Sequence, residues 1–118
     1  MDKILVVNND FDTMNLLKNW LEKKNYHVEY TGHTEGVTDL IKEMQPSLVI
    51  VDIMQKEAIE DIKKNNDLRH LPVLLMTGYT SKSRNKDLPY DDVIEKPFNL
   101  SLFQKKIEAL IKTNVVSD

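Results

Sequence analysis

The chain has 118 residues, 41% of them apolar and 30% charged, and its 16 basic and 19 acidic side chains give a net charge of −3. This is enough for a single domain, 1–118, with a core of its own, and the composition excludes a disordered chain. The absence of cysteine excludes disulfides, thiolate catalysis and cysteine-based zinc sites. No basic run marks a nucleic-acid surface, and no apolar run is long enough for a signal peptide or a membrane span, so a soluble cytoplasmic protein is expected.

Strand and helix patterns then alternate along the chain. Residues 3–8 read as a buried strand, continuous and β-branched. A helix follows, with Asp10 as its N-cap and Asp12 in the first turn. Met14, Leu17 and Leu21 form its apolar face, widened by Leu16 and Trp20. Residues 27–31 alternate polar and apolar, as an edge strand does. The second helix carries the stripe Val37, Leu40, Ile41, Met44 and stops at Pro46. Ser47–Asp52 is the third strand. A third helix with a narrow face, Ala58, Ile59 and Ile62, is closed by Lys63-Lys64-Asn65-Asn66. Strand four is 72–77. The polar stretch Gly78–Tyr90 has almost no apolar stripe, so only a short helical turn or a loop is expected there. Strand five is about 92–96, and a last helix begins at the N-cap Asn99 and packs through Phe103, Ile107, Leu110 and Ile111. Met14, Met44, Met54 and Met76 read mostly as core filler.

Alternating β and α units imply a parallel sheet with right-handed crossovers and helices on both faces. Five strands at this length fit a flavodoxin-like α/β three-layer sandwich, in the order 2-1-3-4-5. Ligand sites in such sheets lie at the carboxyl ends of the strands. Asp52, Thr77 and Lys96 each end a strand and converge there, and Asn8 and Asn9 follow the first. His27, His33 and His70 are scattered and lack ligand spacing.

The segments Ile4–Val7, Pro46–Asp52, Leu68–Gly78 and Asp91–Phe98 together resemble a response-regulator receiver domain of two-component signalling, over nearly the whole chain. The resemblance implies that Asp52 is the phosphoacceptor, that Thr77 bonds a phosphoryl oxygen, and that Lys96 pairs with the acceptor or its phosphate. It also implies a cis bond between Lys96 and Pro97. A histidine kinase or phosphotransfer protein would supply the phosphoryl group, and a downstream protein partner would read it. No catalytic activity of its own is implied. The family's Mg²⁺ would be held by Asp52, by Asn9 and by the Met54 backbone carbonyl. Here the chain departs from the family. Two acids are usual where Asn8 and Asn9 stand, and Val93 replaces an aromatic residue three positions before the lysine.

The missing acids remove charge. At ~4 Å and an effective dielectric of ~20, each charge pair contributes roughly 4 kcal/mol before desolvation. Mg²⁺ prefers carboxylate oxygens, and an asparagine carbonyl adds no charge. Weak or absent Mg²⁺ binding is therefore expected, and with it slow or absent self-phosphorylation of Asp52 at ordinary Mg²⁺. Three further readings remain open at this point. One is a degenerate receiver that binds protein partners without phosphorylation. Another is a fragment of a larger regulator whose effector domain lies beyond Asp118. The third is a flavodoxin-like enzyme or nucleotide binder, against which stand three glycines in all and no glycine-rich loop after strand one.

Overall fold

The computed structural model describes residues 2–78 and 87–114. In chain order the elements are β1 Lys3–Val7, α1 Phe11–Lys23, β2 His27–Thr31, α2 Val37–Met44, β3 Leu48–Asp52, a 3₁₀ turn Ile53–Gln55, α3 Glu57–Lys64, β4 Val73–Gly78, β5 Asp92–Lys96 and α4 Leu100–Asn114. The strands pair in parallel in the order β2-β1-β3-β4-β5. The expected short helical turn or loop between β4 and β5 concerns mainly residues 79–86, which lie outside those described. β4 extends through Gly78, one residue past Thr77.

Each interior strand is apolar on both sides because helices cover both faces. Ile4, Val6, Ile50, Leu74 and Met76 face a layer formed by α1 and α4, through Leu17, Leu21, Phe103 and Ile107. Leu5, Val7, Val51, Val73 and Leu75 face the other layer, formed by α2 and α3, through Val37, Ile41, Ala58, Ile59 and Ile62. Successive strand residues thus feed opposite cores, which is why β3 reads as an unbroken apolar run. The same alternation puts Asp52 at the end of β3 on the α1–α4 side.

Helix ends follow local chemistry. Asp10 caps α1 by accepting the Thr13 N–H at 3.2 Å, and it also accepts the Thr13 hydroxyl. Gly36, with φ +81°, precedes α2, and Gln45 ends it in the left-handed region at φ 55° before Pro46. Asn99 caps α4, its Oδ1 accepting the Leu102 N–H at 3.1 Å.

Two expectations need correction. Leu16 does not widen the buried face of α1; it is 60% exposed, because it lies on the far side of the helix from Met14, Leu17 and Leu21. Trp20 does lie at the margin, half-buried, its ring 5.4 Å from that of Phe103. Met54 is not core filler: it sits in the turn after β3 with its side chain 73% exposed.

Candidate functional site

The carboxyl ends of three neighbouring strands carry the three polar residues. Register places Asp52 beside Met76, Thr77 beside Glu95 and Gly78 beside Lys96. The Asp52 side chain is 7% exposed, and both of its oxygens are engaged. Lys96 Nζ donates to Oδ1 at 3.1 Å, and the Met54 backbone N–H donates to Oδ2 at 2.9 Å. The second bond opens the 3₁₀ turn and fixes the carboxylate's orientation. Lys96 closes β5, and the peptide bond to Pro97 is cis. Its side chain keeps 40% exposure, so the ammonium bridges the buried carboxylate and solvent.

Thr77 is fully buried, and its hydroxyl donates to the Gly78 carbonyl at 3.3 Å. A Cβ placed on Gly78 would meet nothing within 4 Å. The space beside the Gly78 backbone is therefore open, while the Thr77 side chain itself is enclosed.

The two asparagines after β1 behave differently. Asn8 is buried, with 1% exposure, whereas Asn9 is exposed. The Asn8 backbone N–H donates to Thr31 O at 2.9 Å, and its Oδ1 accepts the Asp10 N–H at 2.6 Å. Its Nδ2 is buried and has no partner. Asp10 is occupied by its cap; the bonds from the Thr13 hydroxyl and N–H, and then the Lys96 charge, hold its carboxyl below the ordinary value.

This donor set is short of charge for a hard divalent cation. Asp52 is the single buried carboxylate among the described residues, its oxygens already meeting Lys96 Nζ and the Met54 N–H, and Asn8 turns inward a donor rather than an oxygen. Among the described residues no group of three His, Cys, Asp or Glu side chains could hold a metal ion. Asn9 and the Met54 carbonyl would add no charge.

Sequence reasoning placed Asp52, Thr77 and Lys96 but missed Gln55, which is buried three residues past the carboxylate with an unpartnered Oε1. Its place in a polar turn gave no apolar pattern from which burial could be read.

The sequence profile of the response regulator receiver domain matches residues 4–108. The chain belongs to this family. It is a receiver domain of two-component signal transduction, a class of signalling modules. Response regulator RR06 of Streptococcus pneumoniae serotype 2 is 31% identical over 98 residues, covering 79% of this chain and 45% of that protein. The receiver protein CpdR of Brucella abortus is 29% identical over 117 residues, covering 94% of this chain and 98% of its own. The chain spans about half the length of RR06 and of the Escherichia coli transcriptional regulatory protein CpxR, at 45% and 50%. The receiver domain of a Syntrophus aciditrophicus signal transduction histidine kinase superposes with a TM-score of 0.90 at 22% identity, covering 100% of this chain and 96% of that one. The receiver domain of the Pseudomonas aeruginosa histidine kinase PA1611, solved with magnesium in its active-site cleft, gives 0.85 at 15% identity, covering 94% and 98%. At these identities the two structures speak for the fold alone. No helix among the described residues is long and apolar enough to cross a membrane.

Proposed function

We propose that residues 1–118 act as one receiver domain in which Asp52 takes a phosphoryl group from a histidine kinase or phosphotransfer protein. The observation that carries this reading is the 3.1 Å pair between Lys96 Nζ and Asp52 Oδ1, at the ends of β5 and β3, with Thr77 on the strand between. An Asp52 oxygen attacks phosphorus, and the donor's leaving group departs with the electron pair of the broken bond. Lys96 then shifts from the carboxylate to the phosphoryl oxygens, where the charge has grown. The Thr77 hydroxyl turns from the Gly78 carbonyl to a phosphoryl oxygen.

The domain is a signal carrier rather than an enzyme, working in the cytoplasm and read by a downstream protein. We assign it no nucleic-acid contact, since its net charge is −3 and no basic run stands out in the sequence. Mg²⁺ binding is weak or absent, because the family's acids are replaced by Asn8 and Asn9. Incubation with acetyl phosphate, followed by intact mass, tests the reading. Wild type gains one phosphoryl group and Asp52→Asn gains none. A wild type left unmodified by both acetyl phosphate and a phosphohistidine donor would leave phosphorylation-independent partner binding as the function.

A further inference from the structure

The described core contains one buried side-chain donor without a partner, and it stands beside the acceptor. Val7 pairs with Val51, so one residue further Asn8 and Asp52 lie side by side at the ends of β1 and β3. Strand alternation gives both to the α1–α4 side of the sheet. The orientation of the Asn8 amide follows from its other bond: the Asp10 N–H needs an acceptor, so the end it meets at 2.6 Å is Oδ1. Nδ2 is thereby held in the interior with no acceptor. Buried polar groups are nearly always bonded, so an unmet donor here marks the place of a missing acceptor. With the Lys96 ammonium and the Met54 N–H already at Asp52, three donors surround this strand end. The Asp52 and Lys96 charges cancel, so what this strand end offers a further group is hydrogen-bond donors, and these suit an anion's oxygens.

We infer that Asn8 Nδ2 is a direct hydrogen-bond donor to the phosphoryl group on Asp52, filling the place that a divalent cation takes in receivers with acids at this strand end. The inference rests on Asp52 being the phosphoacceptor. The step balances without metal or proton. A carboxylate oxygen of Asp52 forms a bond to phosphorus as the bond from phosphorus to the acetyl oxygen breaks, and acetate leaves with the electron pair. The carboxylate's single charge passes to acetate, and the two charges of the phosphoryl group now sit on Asp52, where Lys96 and the Asn8 amide meet them.

Asn8→Asp makes a clean test. It keeps the size of the side chain and the acceptor for the Asp10 N–H, and it replaces only the donor by an anionic oxygen. Wild type and variants are treated with acetyl phosphate in EDTA and in Mg²⁺, with intact mass and the decay of the phosphoryl group as readouts. Wild type is labelled alike in both. Asn8→Ala lowers the yield or lifetime in EDTA about tenfold or more, the effect of losing one hydrogen bond to a charged group. Asn8→Asp loses labelling in EDTA, and the pair Asn8→Asp with Asn9→Asp regains it only with Mg²⁺. In wild type the Asn8 side-chain amide resonances move on phosphorylation, a readout that holds even if a variant fails to fold. A wild type labelled only with Mg²⁺ would overturn the inference. So would labelling at Asp52 that Asn8→Ala leaves unchanged, or unmoved Asn8 side-chain resonances; a buried water would then be the missing acceptor. A wild type never labelled at Asp52 marks the failure of the phosphoacceptor reading itself, and Asn8 then has no phosphoryl group to hold.

Discussion

Asn8 and Asn9 share a side chain and differ in every physical respect, because the end of β1 buries one and releases the other. The Asn8 amide is fixed by the next turn of chain: its oxygen accepts the Asp10 N–H just where α1 begins. Asp10 in turn owes its state to the helix. The Thr13 hydroxyl and N–H, followed by the Lys96 charge, favour its ionised form. A carboxyl whose folded-state pKa lies below its unfolded value stabilises the fold fully above the unfolded value, near about 4, and loses that contribution as pH falls through the folded one. Wild type should therefore lose stability on acidification in this window. Asp10→Asn keeps an acceptor for the cap but has no charge to lose, so its urea midpoint should fall less steeply over the same range. Parallel curves for the two proteins would show that the cap's charge is immaterial.

At the scale of elements, the link between α3 and β4 is tied by one lysine. Lys63 Nζ donates to Arg69 O at 3.1 Å, to Leu71 O at 2.8 Å and to Asp91 Oδ2 at 2.9 Å. The same Asp91 oxygen accepts the Val73 N–H at 2.7 Å, so the last turn of α3, the start of β4 and the residue before β5 meet at this point. An exposed ion pair alone contributes at most about 1 kcal/mol. Lys63→Met also takes the donor from two carbonyls, while Asp91 keeps the Val73 N–H, so a loss of about 1–3 kcal/mol is expected in urea unfolding. No measurable loss would mean that water takes over all three acceptors. Lys63 was not legible in the sequence, where it reads as one of a polar run closing a helix; its main partners are loop carbonyls, which carry no side-chain signature. Ala58, Ile59 and Ile62 were legible in the same helix, since their spacing fixes one face and all three are fully buried. Leu16 was misread because an apolar residue type does not fix the side of a helix on which it stands. Asp52, Thr77 and Lys96 could be read because each ends a strand pattern, and strand ends meet in a parallel sheet. The free donor of Asn8 could not, because it depends on where a neighbouring backbone N–H points.

For the whole molecule, the strand order divides the site between unequal supports. β1, β3 and β4 are interior, paired on both sides, while β5 is an edge strand paired only with β4. In β3 every residue is buried, whereas in β5 only Ile94 is. Asp52 and Thr77 therefore stand on interior strands, and Lys96 stands on an edge strand, where smaller openings are expected. Native-state hydrogen exchange should separate the two. Amides of β3 should exchange only through global unfolding, with a steep urea dependence, and those of β5 bonded to β4 through smaller openings with a shallow one. A single common dependence would show that β5 is as cooperative as the centre of the sheet. If the two do separate, the carboxylate sheds its counter-ion in excursions that leave it folded and buried, and at those moments the bare anion drives the edge strand back into place.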